Sequence, residues 1–174
     1  GVMLWDVMFR GQLGVSVSFL EELWARNLGQ MFVSPLRPVE LAAALMCVSL
    51  VRTLVGLIPA ALVAWLLYEF AITSIGPGLI VFFFMLLAFS WAVGLAVCGL
   101  LLRYGLGAES LAWVTVFALA PISAVYYPIS ILPEWLQWVA LATPSAHVFE
   151  GMRAVMLEGR FDWGHCLWAL GLKV

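Results

Sequence analysis

Charged residues are the class that this sequence lacks most. Asp, Glu, Lys and Arg together make up 10% of the 174 residues, whereas a soluble domain carries about a quarter. Hydrophobic residues make up 65%, and the mean hydropathy is +1.09. A chain of this composition cannot cover a water-exposed surface, so we predict an integral membrane protein. The net charge of −2 argues against a nucleic acid or another polyanion as partner.

Motifs for chemistry are also missing. The sequence has no G-x-x-x-x-G-K-[ST] phosphate-binding loop, so the chain does not hydrolyse a nucleotide by that route. Neither H-E-x-x-H nor G-x-S-x-G occurs, and no nucleophile stands beside a base. His147 and Glu150 are three residues apart, a spacing seen in metal sites, but a single pair is weak. We therefore expect no catalytic residues and no metal site.

Cysteine pairs are absent as well. Cys47, Cys98 and Cys166 lie singly inside apolar runs, so they predict neither a disulfide nor a zinc site. The chain begins inside one apolar segment and ends inside another, and we expect it to be a fragment of a longer protein.

Apolar runs of membrane-spanning length make up most of the chain. A helical span needs about 20 residues, and four such runs are followed by the opening of a fifth. We therefore predict an all-α, polytopic bundle of transmembrane helices. The five segments are Val2–Leu20, Leu41–Phe70, Leu79–Leu102, Leu111–Tyr127 and His165–Val174.

Three charged residues fall inside the first two spans. Asp6 and Arg10 are four apart and could neutralise each other, either as a structural ion pair or as part of a substrate site. Arg52 lies about 18 Å along its helix from Glu40, where an arginine needs protein or water around it and a partner. Asp6 is the partner that we predict for Arg52. Gly11 and Gly14 in the first span would allow close helix packing.

The segment Glu21–Glu40 is the longest polar stretch before Asp162. Its periodicity predicts an amphipathic helix, with an apolar face of Leu20, Trp24, Leu28 and Met31 opposite a polar face of Glu22, Arg26 and Gln30. Glu22 and Arg26 have the spacing of an exposed ion pair, and Pro35 and Pro38 end the helix. Such a helix is either a docking element or an interfacial turn of the chain.

The residue pattern changes at Pro128, where the long apolar runs give way to shorter segments. Pro133 can open a helix of about ten residues that carries Trp135 and ends at Thr143-Pro144. A helix that short cannot cross a membrane, and its tryptophans are typical of the membrane–water interface. A second helix is predicted over Ser145–Leu157.

Two of these stretches resemble the membrane subunits of type-2 ATP-binding cassette (ABC) exporters. The family's cytosolic motif reads approximately E-E-R-x-x-G-T-L-x-x-L-x-V-S-P-L-x-P, and its second motif F-P-L-x-x-L-P-x-W-L-Q-x-x-A-x-x-N-P-L-x-Y-x-x-E-x-x-R. The first is matched by Glu21, Glu22, Leu28, Phe32, Val33, Ser34, Pro35, Leu36 and Pro38. The second is matched by Tyr127, Pro128, Ile129, Leu132, Pro133, Trp135, Leu136, Gln137, Ala140, Pro144, His147, Glu150 and Arg153, where His147 stands for a usual Tyr. Other departures include Thr143 for Asn, and Arg26 and Asn27 at the Gly-Thr positions.

The resemblance implies one transmembrane domain over residues 1–174. Its coupling helix, residues 21–38, would contact an ATP-binding subunit through Glu21, Glu22, Trp24, Arg26, Leu28, Phe32, Pro35 and Leu36. Residues 128–158 would form an outward-side re-entrant hairpin, with Tyr127, Pro128, Pro133, Trp135, His147, Glu150 and Arg153 at the exit. Asp6, Arg10 and Arg52 match no family motif.

The resemblance also implies the partners. They would be two ATP-binding subunits, which bind ATP and Mg²⁺, and a second permease copy, in the lipid bilayer of a bacterial plasma membrane; this chain would bind no cofactor and no nucleic acid. Motif order places Glu21–Glu40 and Arg103–Glu109 in the cytoplasm, and Ile72–Gly78 and Pro128–Trp163 outside. The substrate stays open among drugs, lipids and glycans. The alternative is a stand-alone channel or scaffold without an ATPase.

Overall fold

The computed structural model describes residues 2–33, 37–68 and 78–158, and every regular element in these ranges is helical. The all-α prediction is therefore confirmed for this part of the chain. The α-helices are α1 Val2–Trp24, α2 Leu28–Val33, α3 Pro38–Tyr68, α4 Gly78–Tyr104, α5 Glu109–Ile122, α6 Glu134–Leu141 and α7 Pro144–Glu158, with 3-10 turns at Gly105–Ala108 and Ile129–Ile131.

The first helix, α1, is the centre of the bundle. It packs against α3 on one side and against α4 on another, and α5 also contacts it. Twelve of its residues are buried, including Gly11, Gln12 and Ser16. This burial confirms that the first span, too polar to face lipid all round, lies among other helices.

Residue contacts give the direction of each helix. Gly14 lies against Ser49 and Arg10 lies against Gly56, so α3 runs antiparallel to α1. Gly11 lies against Ser90 and the next turn, at Val15, lies against Gly94, so α4 runs parallel to α1. The chain thus reverses direction between successive long helices, as predicted for consecutive spans.

Two apolar clusters mark the two ends of the bundle. We call one the α2 end; its cluster joins the end of α1, the start of α3, the end of α4 and the start of α5, through Phe19, Leu20, Leu45, Leu101 and Ala112. The other is the α7 end; its cluster joins the start of α1, the start of α4 and α7, through Leu4, Met8, Phe82, Leu86 and Phe149. The predicted segments Glu21–Glu40 and Arg103–Glu109 therefore meet at one end, and Pro128–Glu158 lies at the other.

Two stretches of the described residues are long and apolar enough to cross a membrane. They are Pro38–Val63 in α3 and Leu79–Ile122, which contains α4, the 3-10 turn and α5. The α3 and α4 boundaries agree with the predicted spans. The α5 helix ends at Ile122, five residues before the predicted end at Tyr127, because Ala124 adopts φ 51° and the chain then turns into the Ile129–Ile131 segment. The predictions for Ile72–Pro77 and His165–Val174 lie outside the described residues.

The amphipathic helix predicted over the Glu21–Glu40 segment is wrong in its bounds. Helix α1 continues to Trp24 and then ends, and the six-residue α2 begins only at Leu28. Between them Arg26 has φ 55°, its N–H donates to the Leu23 carbonyl, and the Asn27 N–H donates to the Glu22 carbonyl. These two bonds close a helix C-terminus of the Schellman type. A periodic apolar face therefore runs across a helix break.

Candidate functional site

A buried hydroxyl ties together the three helices at the centre of the bundle. The Ser49 Oγ donates to the Gly11 carbonyl at 2.8 Å and accepts from Trp91 Nε1 at 3.2 Å. The three residues belong to α3, α1 and α4. A polar contact that is wholly satisfied between helices stabilises them in an environment without water.

Glycines bring these helices close enough for that contact. A Cβ at Gly14 would lie 3.0 Å from the Ser49 Cβ and 3.1 Å from its Cα, and a Cβ at Gly11 would collide with the Ser90 side chain. Gly94 allows the same close approach of α4 to α1, since a Cβ there would lie 3.1 Å from the Gln12 carbonyl oxygen. The predicted packing role of Gly11 and Gly14 is confirmed, and so is that of Gly94, one of the small residues of the third span for which the sequence predicts a helix-packing face.

Gln12 is the most buried long polar side chain in α1. Its Nε2 donates to the Ser16 hydroxyl at 3.1 Å and to the Ala112 carbonyl at 3.3 Å. Its Oε1 and the Ser18 hydroxyl have no hydrogen-bond partner among the described residues. The contact to Ala112 links α1 to α5.

The charges inside the first span form the predicted local pair. Arg10 Nε lies 2.6 Å from Asp6 Oδ2, and the two side chains are 45% and 33% exposed. The rest of the Arg10 guanidinium lies on Gly56 of α3, where a Cβ would come within 2.6 Å of Nη1. The pair is therefore not sealed inside the bundle but lies at the open edge of the contact between α1 and α3.

The predicted pairing of Arg52 with Asp6 is wrong. Arg52 Nη2 instead lies 3.1 Å from Glu21 Oε2, with side chains that are 45% and 50% exposed. Asp6 is already bound to Arg10. Helical side chains tilt towards the N-terminus of their own helix, so in antiparallel α1 and α3 the Arg52 and Glu21 side chains point towards each other across an axial offset.

The residues predicted for the ATPase contact lie in three different environments. Glu21, Glu22 and Trp24 belong to the last turn of α1, Arg26 to the turn, and Leu28 and Phe32 to α2. Pro35 and Leu36 lie outside the described residues. Glu22 does not pair with Arg26, whose left-handed backbone breaks the helical spacing; its Oε2 accepts a hydrogen bond from Asn27 Nδ2 at 3.1 Å. Trp24 is 51% exposed, an uncovered apolar surface at the α2 end.

At the other end, Glu150 and Arg153 fasten the irregular chain after α5 to α7. Arg153 Nη1 lies 2.7 Å from Glu150 Oε1, while its Nη2 donates to the carbonyls of Ala124 and Tyr127. Glu150 Oε1 also accepts the Ile129 N–H at 3.2 Å. We call this group the clasp. It satisfies three backbone groups that lie between α5 and α6, outside the α-helices.

The remaining residues predicted for the exit lie on and around α6 and at the start of α7. Pro133 caps the start of α6, after the turn that follows Pro128. The His147 Nε2 donates to the Leu141 carbonyl at 2.8 Å, which links α7 to the end of α6. Trp135 is exposed on α6, as is Trp138, a placement typical of an interfacial helix. Within residues 2–33, 37–68 and 78–158 no group of three or more His, Cys, Asp or Glu side chains could hold a metal ion.

Two parts of this arrangement could have been found from the sequence. The family motif has glycine where this chain has Arg26, and a glycine there indicates a helix C-terminus. The Glu21–Arg52 contact follows from the tilt of side chains on antiparallel helices once α1 is extended to Trp24. The contact between Arg10 and Gly56 could not be predicted from hydrophobic periodicity, because α3 is apolar on nearly every face.

Comparison with known proteins agrees with this architecture. The sequence profile described as "ABC-2 type transporter" matches residues 1–157. A comparison with individual characterised proteins gives no significant match. The matched domain is the permease part of such transporters, which sit in the cell membrane and work with ATP-binding subunits, so ATP hydrolysis lies in a separate chain. Since the match covers most of the sequence, this chain belongs to the ABC-2 type transporter family and is a membrane subunit of an ABC transporter.

Proposed function

We propose that the chain forms the export pathway of an ATP-driven transporter, receives the motion of the ATP-binding subunit at the α2 end and releases substrate at the α7 end. The observation that carries this proposal is the separation of two specialised ends. An exposed, polar segment with an apolar side chain, Trp24, lies at one end, and the clasp lies at the other.

The α2 end has the features of a docking element. Residues 25–33 follow α1, the central helix, and precede α3 in the chain, so a force on this segment reaches the core of the bundle through α1. The Glu21–Arg52 pair adds a second connection between α1 and α3 beside the loop. In the complex we propose, α2 and the neighbouring turn contact the ATP-binding subunit, which binds ATP and Mg²⁺.

The clasp has the features of a hinge with a defined closed state. It holds the chain between α5 and α7 through one ion pair and three bonds to backbone groups. Side chains that bond to backbone can release without unfolding a helix. We propose that α6 and α7 form the outward-side re-entrant hairpin, and that two copies of the permease and two ATP-binding subunits make up the transporter.

The test of this proposal is coupling. We expect Trp24→Asp or Leu28→Asp to reduce substrate-stimulated ATPase activity of the reconstituted complex about tenfold or to release the ATP-binding subunit, because apolar anchors dominate interface affinity. Glu22→Ala is the matched control, since an exposed charge contributes about 0–1 kcal/mol. If both aspartate variants keep coupling and co-purification unchanged, the segment is not the transmission element, and a stand-alone channel or scaffold would account better for the chain.

A further inference from the structure

A line of charged groups runs along the contact between α1 and α3. We call it the charged seam; it consists of Asp6, Arg10 and Glu21 on α1 and Arg52 on α3. Gly56 of α3, on which Arg10 lies, also belongs to it. At about 1.5 Å per residue, Asp6 and Glu21 are about 22 Å apart along α1. The seam therefore covers most of the roughly 30 Å hydrocarbon core of a bilayer.

The seam is open along its length. Each of its four charged side chains is between one third and one half exposed. Next to it, on one side, α3 exposes apolar side chains to the surroundings, among them Val48, Val51, Val55, Ile58 and Leu62. Charged groups are rare in hydrocarbon unless they face water, protein or a polar ligand, so the seam is suited to polar atoms while the adjacent face of α3 is suited to lipid.

The two arginines have hydrogen-bonding capacity to spare. Arg10 uses only Nε on Asp6, and Arg52 uses only Nη2 on Glu21, among the residues that the structure describes. A guanidinium carries five N–H donors. The face of the Arg10 guanidinium lies over Gly56, because a Cβ there would be within 2.8 Å of Nη1, Cζ and Nε, so the edge that carries Nη2 is not used by α3. Planar guanidinium edges bind phosphate oxygens in a bidentate manner.

We propose that the charged seam binds the phosphate-bearing head group of a membrane amphiphile, whose apolar tail lies along the exposed face of α3. The head group passes from the Arg10 position to the Arg52 position, or the reverse, while the tail stays in lipid. Asp6 and Glu21 hold the two guanidiniums in place and keep the seam neutral when it is empty. This inference rests on the proposed function and names the substrate class of that pathway.

The experiment uses the assembled transporter, in which the permease that contains this chain is bound to its ATP-binding subunit. It is reconstituted in phosphatidylcholine vesicles that contain tail-labelled phosphatidylglycerol, and ATP-dependent transfer between leaflets is followed with a membrane-impermeant quencher. We expect Arg10→Gln and Gly56→Leu each to reduce the transfer rate at least tenfold. The matched controls are Arg103→Gln, an exposed arginine at the end of α4, and Gly99→Leu, where an added Cβ meets nothing within 4 Å; both should stay within about twofold.

A second variant separates ligand binding from structure. If Arg10 serves only to neutralise Asp6, the double variant Asp6→Asn with Arg10→Gln removes both charges and should restore transfer. The proposal predicts that it does not, because the guanidinium itself contacts the phosphate. Restoration by the neutral pair would overturn the proposal even if the single variants are slow.

Other outcomes also decide. If the variants slow the transfer of tail-labelled diacylglycerol equally, although it has no phosphate, the head-group assignment is overturned. If added inorganic phosphate restores the transfer rate of the variants, the seam is a site for a free anion instead. Loss of the permease dimer in Arg10→Gln would make the seam a contact between copies. If ATP hydrolysis responds to another substrate while phosphatidylglycerol does not move, the inference fails and the proposed function stands. If no complex with the ATP-binding subunit forms, both fail.

Discussion

Replacement of Gly14 by alanine tests the packing on which the central helix depends. Alanine in place of glycine raises helix stability by about 1 kcal/mol where there is room. At Gly14 there is none, because the new Cβ would lie 2.8 Å from Ser49 Oγ, 3.0 Å from its Cβ and 3.1 Å from its Cα. Overpacking of this kind costs about 1–3 kcal/mol. We therefore expect Gly14→Ala to lower the free energy of unfolding by about 1 kcal/mol after the helix gain is subtracted.

Gly99→Ala is the matched comparison, since it changes the same atoms on α4 and meets nothing within 4 Å. It should raise the free energy of unfolding by up to about 1 kcal/mol, leaving about 2 kcal/mol between the two variants. Titration of the purified protein in mixed micelles with a denaturing detergent measures this difference. Ser49→Gly removes two of the three close atoms, so Gly14→Ala should cost less in a Ser49→Gly background than in the natural sequence. Equal stability of the two alanine variants would refute the close approach of α1 and α3.

Three further changes follow from the contacts. Arg153→Gln removes the ion pair of the clasp and its hydrogen bonds to two carbonyls, so we expect a loss of about 2–3 kcal/mol in thermal or detergent unfolding; an unchanged stability would contradict the clasp. Arg52→Leu should reduce transport more than Arg103→Leu, and exchanging the charges of Arg52 and Glu21 should recover part of that loss; no recovery in a transport assay would argue against this pair. Arg26→Gly should raise the unfolding free energy by about 1 kcal/mol, because glycine adopts a positive φ without strain; a decrease would contradict the turn.

Much of the fold could be predicted because burial in a membrane selects residue types strongly. Long apolar runs located α3 and α4 closely, and the spacing of Asp6 and Arg10 gave their ion pair. Small residues in the first span predicted close packing, which Gly11 and Gly14 provide. These signals are local and depend on one helix at a time.

The features that were not predicted correctly from the sequence depend on contacts between two helices or on backbone conformation. Trp24 and Leu28 keep the period of one helix although a Schellman turn lies between them, because hydrophobic spacing does not report a left-handed residue. The partner of Arg52 was misassigned because the first span was predicted to end at Leu20, which left Glu21 outside it, whereas α1 continues to Trp24. The clasp combines side chains with carbonyl and amide groups of the backbone, which have no sequence signature of their own.

The most direct test of the account is a cross-linking measurement on the assembled transporter. In a variant without native cysteines, a single cysteine at Gln30, exposed on α2, carries a short photo-activated cross-linker, and a second variant carries it at Trp135 on α6. The account predicts that Gln30 cross-links to the ATP-binding subunit, that the yield changes on addition of ATP, and that Trp135 gives no such product. Cross-linking from Trp135 but not from Gln30, or from neither, would contradict the assignment of the α2 end as the site where ATP drives this permease.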